Sequence, residues 1–173
     1  MNIVIIGTGY VGLVTGVGLA SLGNTVDFID LDENKIEDLS NKKITFYEPG
    51  LEEYFNDDQT FKRMSFSSDY TSIKWDNIDI VFVCVQTPNN IETNSVDTNF
   101  LESAIKEINN VNNSELVITV KSTIPPYEIE KVCEKVGMDS SKLTFNPEFL
   151  REGTAVEDFF KPVSYTHLRA HET

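Results

Sequence analysis

The 173-residue sequence is poor in cysteine and in basic side chains, and it has no long apolar run. Only two cysteines, Cys84 and Cys133, are present, which is too few for the disulfide framework of a small secreted protein. We therefore expect a reducing, cytoplasmic environment. No apolar stretch approaches the length that a membrane-spanning helix needs.

Basic residues are outnumbered two to one. The sequence has 14 Lys and Arg against 28 Asp and Glu, and its formal net charge is −14. A nucleic-acid partner requires clustered basic side chains to neutralise phosphates, so this balance argues against one. It argues equally against docking on an anionic membrane. A phosphate-bearing ligand would have to be held locally, by backbone amides at the start of a helix.

Histidine occurs only near the end of the sequence, as His167 and His171. Residues 163–173 read VSYTHLRAHET, which matches the translation of a transposase-based sequencing adaptor. We expect this segment not to be native, and we expect no metal site from its histidine pair. The native domain is then expected to cover residues 1–162 and to belong to a longer protein.

Apolar runs and helical patterns alternate along the remaining sequence. Apolar runs predict strands at residues 3–6, 26–29, 63–67, 78–85, 116–120 and 143–145. Helical patterns lie at residues 10–22, 33–40, 51–55, 99–108 and 125–136. This order predicts an α/β fold, a doubly wound (Rossmann-type) parallel sheet with helices on both faces.

The first predicted strand leads directly into the glycine pattern GTGYVG. In this pattern Gly7 allows a tight turn, Gly9 lets the backbone approach a diphosphate, and Gly12 allows close packing of helix on strand. The helix that begins near Tyr10 and Val11 offers N–H groups and the positive end of its dipole to that diphosphate.

An acidic residue, Asp30, ends the second predicted strand, 18 residues after Gly12. A carboxylate at this place accepts hydrogen bonds from the adenosine ribose hydroxyls and repels a 2′-phosphate, which favours NAD over NADP. Strand, glycine turn, helix and acid together predict an NAD site rather than a glycine-rich packing turn.

Threonines follow two further predicted strands, Thr87 in VCVQTP and Thr123 in KST. Since ligands bind outside the carboxyl ends of parallel strands, Thr87 is predicted to face the cofactor. Thr123 has a second interpretation as a helix cap, because Pro125 follows at a suitable first-turn position. The residues alone leave these two interpretations of Thr123 open.

The segment NPEFLREG, at residues 146–153, contains two carboxylates, Glu148 and Glu152. On a helix they would share a face, and at the carboxyl end of a strand both could point into the cleft. Two like charges held close raise the pKa of one of them, which suits a general base or a proton relay. On spacing alone, a solvated acidic turn is the simpler interpretation.

Together, GTGYVG, VCVQTP, KST and NPEFLREG resemble the motifs of the UDP-glucose/GDP-mannose dehydrogenase family, and the resemblance covers residues 1–162. It implies an NAD-dependent oxidation of a sugar C6 alcohol to a carboxylate in two hydride transfers. It implies UDP-glucose as the substrate, with GDP-mannose or UDP-N-acetylmannosamine as alternatives. A non-catalytic NAD-binding module remains open as a third interpretation.

The resemblance also implies roles for residues near the cofactor. Lys35 would help to hold the adenosine end, although the residue by itself suggests an ordinary surface lysine. Thr87 would contact NAD, and Thr123 would help to hold a water molecule near the reacting carbon. Residues 47–51, YEPGL, resemble a further family segment in a loop near the active site, with a plain Pro-Gly turn as the alternative.

On the substrate side, the resemblance assigns the roles to the NPEFLREG segment. Glu152 would help to activate water in the hydrolytic step, and Glu148 would lie at the reacting sugar carbon. The wall along the substrate would be formed, largely through backbone contacts, by Phe149, Leu150 and Arg151.

Members of this family trap the aldehyde on a cysteine thiolate, so that it can be oxidised again without escaping. That cysteine lies in later domains, as does the long helix through which family members form homodimers. Neither Cys84 nor Cys133 matches it, and both are expected to be core residues. We therefore expect this chain to bind NAD without turning over a substrate.

Overall fold

The computed structural model describes residues 1–90, 95–111, 116–147 and 149–161. Within these ranges the strands are β1 (Asn2–Ile6), β2 (Thr25–Ile29), β3 (Met64–Ser67), β4 (Ile80–Val83), β5 (Asn89–Asn90), β6 (Ser95–Val96), β7 (Val117–Val120) and β8 (Leu143–Phe145). The α-helices of the same ranges are α1 (Tyr10–Ser21), α2 (Glu33–Ser40), α3 (Leu51–Asn56), α4 (Asp58–Phe61), α5 (Asn99–Val111), α6 (Pro126–Val136) and α7 (Ala155–Phe160).

Six of these strands form one sheet in the order β3-β2-β1-β4-β7-β8, and every neighbouring pair is parallel. In the register of the sheet, Ile3 of β1 pairs with Val26 on one side and with Ile80 on the other. The strand order reverses between β1 and β4, and in such sheets ligands bind at the carboxyl ends beside the reversal. The predicted doubly wound parallel sheet is confirmed.

The two faces of the sheet bury separate hydrophobic clusters, because successive residues of a strand point to opposite sides. Ile5 of β1 packs on one face with Leu13 of α1 and Phe55 of α3. The next residue, Ile6, packs on the other face with Ile105 of α5, in the cluster that also includes residues of α6. Burial of each side chain of this size contributes about 1.5–3 kcal/mol to the free energy of unfolding. Because both faces of the sheet carry such side chains, a layer of helices is needed on each face.

The amino-terminal part of α1 lies unusually close to the sheet. A Cβ added at Gly12 would lie 1.9 Å from the carbonyl oxygen of Gly7, and one added at Gly16 would lie 2.3 Å from the ring of Phe28. Side chains at these positions would force the helix away from β1 and β2. The predicted packing role of Gly12 follows from this contact.

The structure differs from the sequence predictions mainly after β8. Residues 149–154 are not helical, so Glu152 does not lie on a helix face. Glu152 lies in a turn, α7 begins only at Ala155, and Glu148 lies outside the described residues. Between β4 and α5 the chain forms a small antiparallel pair, β5–β6, which the sequence patterns do not predict. None of the described helices combines the length and the apolar composition needed to cross a membrane.

Candidate functional site

A cleft of about 490 Å³ opens at the carboxyl ends of β1, β2 and β4, where the strand order reverses. Three walls enclose it: the glycine turn after β1, the segment after β2, and one face of α5. Of the predicted cofactor residues, this cleft is lined by Gly7, Gly9, Asp30 and Lys35.

The glycine turn leaves room for a ligand on one side and none on the other. Gly7 has a φ of +94°, and a Cβ there would lie 2.8 Å from the carbonyl oxygen of Cys84. A Cβ on Gly9, by contrast, would meet nothing within 4 Å. Gly9 is also the N-cap of α1, and it supplies no side-chain acceptor for the first amides of that helix. The amides of Tyr10 and Val11 therefore border a space that fits a diphosphate.

Asp30 is held in a fixed orientation at the end of β2. Its Oδ2 accepts hydrogen bonds from the backbone N–H and the hydroxyl of Thr8, at 2.7 and 2.8 Å, and its Oδ1 accepts one from the N–H of Asp32 at 3.0 Å. The ammonium of Lys35 lies 3.7 Å from Oδ2. Burial would raise the pKa of Asp30, but these hydrogen bonds and the Lys35 charge outweigh it and lower the pKa.

The carboxylate of Asp30 is thus ionised and positioned before any ligand binds. Its side chain remains 14% exposed, on the cleft side, so lone pairs of Oδ1 are left for a ribose hydroxyl. This geometry fits the predicted contact with the adenosine ribose of NAD. Lys35 lies within ion-pair distance of Asp30 and lines the cleft, and its contact with the adenosine end remains a prediction.

A second hollow, of about 280 Å³, adjoins the cleft through Gly9 and Cys84. The remaining predicted cofactor contacts, Tyr10, Val11, Thr87 and Thr123, line this hollow. Gly12 lines neither space, in agreement with its packing role.

The two threonine segments are joined to each other at the bottom of this hollow. The hydroxyl of Thr87 donates to the carbonyl oxygen of Thr123 at 3.1 Å, and the hydroxyl of Ser122 donates to the carbonyl of Val85. Thr123 does not cap α6, because the N-cap of that helix is Pro125 and the helix begins without a side-chain cap. The helix-cap interpretation of Thr123 is therefore wrong, and its exposed side chain remains in the hollow.

The start of NPEFLREG is fixed to the same edge of the sheet. The buried ammonium of Lys121 donates to Asn146 Oδ1 at 3.0 Å, and the N–H of Asn146 donates to the carbonyl of Val120 at 2.9 Å. The ends of β7 and β8 therefore stay together where Thr123 leaves the sheet.

Glu48, in the YEPGL loop, links the beginning of α1 to the end of NPEFLREG. It is only 3% exposed. Its Oε2 lies 2.7 Å from the hydroxyl of Tyr10 and accepts the N–H of Gly153 at 2.8 Å, while its Oε1 accepts the N–H of Ala155 at 2.7 Å. Because Ala155 is the first residue of α7, Glu48 also supplies the acceptor that caps this helix.

The hydrogen bonds keep Glu48 ionised and Tyr10 neutral. Burial would raise the pKa of Glu48, but the donors on Tyr10, Gly153 and Ala155 lower it overall. Burial and the adjacent Glu48 carboxylate raise the pKa of Tyr10, and the charge of Glu152 adds to that rise. The turn that carries Glu152 is therefore near the Tyr10 hydroxyl.

The carbonyl oxygen and the guanidinium of Arg151 contact different helices, α1 and α7. Its carbonyl oxygen lies 2.9 Å from the Tyr10 hydroxyl. Its guanidinium donates twice to Asp158 of α7, from Nε at 3.0 Å and from Nη2 at 2.7 Å. The hydrogen bond from the Arg151 side chain lowers the pKa of Asp158 to about 2. The carbonyl of Arg151 is thus directed towards α1, whereas its backbone N–H and its guanidinium bond to Asp158.

The other predicted substrate residues lie along the same segment but do not line the two cavities. Phe149 is 64% exposed, Leu150 packs partly on the core beside α1, and Glu152 is exposed in its turn. Their substrate roles remain predictions. Glu148 lies outside the described residues.

Sequence reasoning missed the roles of Thr8, Glu48 and Asp158. Thr8 fixes the orientation of Asp30, and Asp158 fixes that of Arg151. Glu48 gives no local signal, because its amide partners lie 105 and 107 residues away. The Pro-Gly turn after it was recognised, and Gly50 has the expected positive φ of 80°.

Comparison with known proteins places this geometry in a family. The model for the NAD binding domain of the UDP-glucose/GDP-mannose dehydrogenase family matches residues 1–164. UDP-glucose 6-dehydrogenase from Rickettsia typhi is 38% identical over 164 residues, which is 94% of this chain and 37% of the relative.

Two solved structures have the same fold as this chain. The ternary complex of GDP-mannose dehydrogenase from Pseudomonas aeruginosa superposes with a TM-score of 0.81 at 30% identity, over 92% of this chain and 38% of that one. UDP-glucose dehydrogenase from Pyrobaculum islandicum gives a TM-score of 0.77 at 35% identity, over 93% and 39%. The chain thus spans little more than a third of the length of each of these three relatives.

Proposed function

Because the chain belongs to the UDP-glucose/GDP-mannose dehydrogenase family, through the NAD binding domain of that family, we propose that it serves a nucleotide-sugar 6-dehydrogenase. The proposed reaction oxidises the C6 alcohol of the sugar to a carboxylate in two steps, and the proposed substrate is UDP-glucose, which gives UDP-glucuronate. The proposal extends beyond the chain, since the chain spans 37% of a full-length relative.

The observation that carries the proposal is the cleft at the end of β1. Gly9 faces open space, the amides of α1 lack a side-chain cap, and Asp30 is ionised beside them. A dinucleotide fits this set, with its diphosphate at the α1 amides and its adenosine ribose at Asp30. When bound, NAD supplies the acceptor for the hydride that leaves the sugar carbon.

The residues of the second hollow are proposed to work at the reacting end. Thr87 contacts the cofactor, and the exposed hydroxyl of Thr123 holds a water molecule. Glu152 helps to activate that water, and Glu148 lies at the reacting carbon. The backbone from Phe149 to Arg151 forms the substrate wall. The Tyr10 hydroxyl supports this arrangement, because it contacts the Arg151 carbonyl at 2.9 Å.

UDP-glucose is proposed as the substrate because two of the three relatives described above, those from Rickettsia typhi and Pyrobaculum islandicum, are named UDP-glucose dehydrogenases. GDP-mannose is the alternative that the other structural relative supports. We also propose that the whole protein is a homodimer, as the family resemblance suggests, and that it is cytoplasmic, as the low cysteine count suggests.

Calorimetric titration of the chain with NAD and NADP tests the cofactor half of the proposal. We expect saturable NAD binding at one site and weaker NADP binding, because a carboxylate beside the ribose repels a 2′-phosphate. A chain that binds neither cofactor would contradict the proposed function. Equal affinities would contradict the role of Asp30 but not the family assignment.

Saturation-transfer NMR in the presence of NAD tests the substrate half. UDP-glucose, GDP-mannose and UDP-N-acetylmannosamine are compared at equal concentration. We expect the hexose protons of UDP-glucose to receive more saturation than its uracil protons, because the NPEFLREG segment is proposed to face the sugar. Stronger transfer to the mannose protons of GDP-mannose would favour the alternative substrate.

A further inference from the structure

Helix α5 presents one face to the dinucleotide cleft, formed by Phe100, Ser103, Ala104 and Glu107. These positions have the i, i+3, i+4, i+7 spacing of a single helix face. Glu107 occupies the last position of this face, and its side chain is exposed. It therefore adds a carboxylate to the wall that does not carry Asp30.

The carboxylates that line the cleft differ in how far nearby groups offset their charge. Asp30 accepts three hydrogen bonds and lies 3.7 Å from the Lys35 ammonium. Asp32 caps α2, accepting the N–H groups of Asn34 at 3.1 Å and Lys35 at 3.3 Å at the positive end of that helix. Among the residues described, none forms an ion pair or a hydrogen bond with the carboxylate of Glu107.

This difference bears on how the cleft could reject a 2′-phosphate. Asp30 repels such a group, but Lys35, the one lysine or arginine among the described residues that line the cleft, attracts it. The Asp30–Lys35 pair therefore discriminates less strongly than an isolated carboxylate would. Glu107 contributes a negative charge that no ion pair with a described residue offsets.

We propose that Glu107 is a second determinant of cofactor choice, and that its charge across the cleft from Asp30 disfavours NADP. The inference rests on the proposed function, since it needs a dinucleotide in this cleft. The pKa of Tyr70 supports the placement, because burial together with the charges of Glu107 and Asp30 raises it to about 12. The Tyr70 phenol, which also lines the cleft, is thus near both carboxylates.

Titration of Glu107→Gln with NAD and NADP tests the inference. A unit charge within about one Debye length of a phosphate, partly screened by water and salt, changes affinity by about three- to tenfold. We expect NADP to bind about three- to tenfold more tightly to Glu107→Gln than to the unmodified chain, and NAD affinity to change less than about twofold. The NADP gain should shrink between about 0.05 and 0.5 M salt.

Glu134→Gln is the matched control, because Glu134 is an exposed glutamate on a different helix, α6, and lines neither cavity. It removes the same net charge and should leave the ratio of the two affinities unchanged. Glu107→Lys should increase NADP affinity further than Glu107→Gln does.

Two outcomes would overturn the inference while NAD still binds the unmodified chain. One is an unchanged ratio of NADP to NAD affinity in Glu107→Gln. The other is an equal gain for both cofactors, which would indicate a general effect of net charge. An unmodified chain that fails to bind NAD would contradict the proposed function, and this inference with it.

Discussion

The hydroxyl of Tyr10 lies 2.7 Å from the Oε2 of the buried Glu48 carboxylate. Tyr10 begins α1 beside the dinucleotide cleft, and Glu48 also accepts the amides of Gly153 and Ala155. Helix α1 and the end of the NPEFLREG segment therefore share one buried acceptor, Glu48. A change at Glu48 should affect both.

Glu48→Gln should destabilise the domain by about 2 kcal/mol or more, because a buried donor is left unsatisfied. The carboxylate accepts from donors at both oxygens, and a carboxamide must turn its NH2 group towards one of them. Urea unfolding measures the loss, and amide exchange at Gly153 and Ala155 should become faster. Glu52→Gln, at an exposed position, should stay within about 0.5 kcal/mol. Equal stability of the two variants would contradict the role of Glu48.

Gly9→Ala and Gly12→Ala should separate ligand binding from packing. A methyl group at Gly9 meets no atom within 4 Å, so stability should change by less than about 0.5 kcal/mol while NAD affinity falls about tenfold or more. A methyl group at Gly12 would lie 1.9 Å from the Gly7 carbonyl oxygen and should cost about 3 kcal/mol or more. Thermal melts and calorimetry give both quantities. Gly9→Ala with unchanged NAD affinity would place the diphosphate elsewhere.

Asp158→Asn should change how stability depends on acid pH. The pKa of Asp158 is lowered from 3.8 to about 2 in the folded domain, first by the hydrogen bond from Arg151. A carboxyl with a depressed folded pKa contributes fully above its unfolded pKa, and this contribution is lost as pH falls through the folded value.

The contribution of Asp158 should therefore disappear between about pH 4 and pH 2. Urea midpoints measured across this range should fall less steeply in Asp158→Asn than in the unmodified chain. Glu157→Gln on the same helix is the control, since its exposed carboxylate lies 3.8 Å from Lys161. A variant that keeps the unmodified slope would show that Asp158 does not contribute to it.

Cys84 offers a chemical probe of the cleft. Cys84 lines both cavities and is 9% exposed, whereas Cys133 on α6 lines neither, and burial raises the pKa of the Cys133 thiol. In a Cys133→Ala variant, a thiol reagent should modify Cys84 slowly, and saturating NAD should slow the reaction about tenfold or more by covering it. A modification rate that NAD leaves unchanged would argue against dinucleotide binding beside Cys84.

The sequence predicted the sheet well because its strands are short, apolar and separated by helical patterns. The apolar residues from Ile3 to Ile6 predicted a buried strand. The glycines after them predicted a tight turn and a helix packed closely on that strand. Asp30 could be assigned because its place depends only on the end of β2. These features are local, so a pattern of neighbouring residues contains them.

The links between distant segments could not be predicted in the same way. The sequence around Glu48 indicates only a Pro-Gly turn. No neighbouring residue indicates that Glu48 accepts hydrogen bonds from Gly153 and Ala155. The interpretation of Thr123 as a helix cap failed because the Pro125-Pro126 pair begins α6 without a side-chain cap. The partners of Glu48 and the capping of α6 both depend on where another element of the fold begins or ends. The pattern of neighbouring residues does not give that information.

Finally, the first strand of the chain lies in the middle of the sheet, and this has a consequence for biosynthesis. β1 can pair with β2 as soon as α1 and β2 have been synthesised. The other edge of β1 pairs with β4, where Ile3 lies opposite Ile80, so it stays unpaired until β4 has been synthesised. A nascent chain on the ribosome thus keeps one edge of β1 open until some 80 residues have emerged. Chaperone capture during translation should therefore peak before β4 emerges, and ribosome profiling of chaperone-bound nascent chains can measure this.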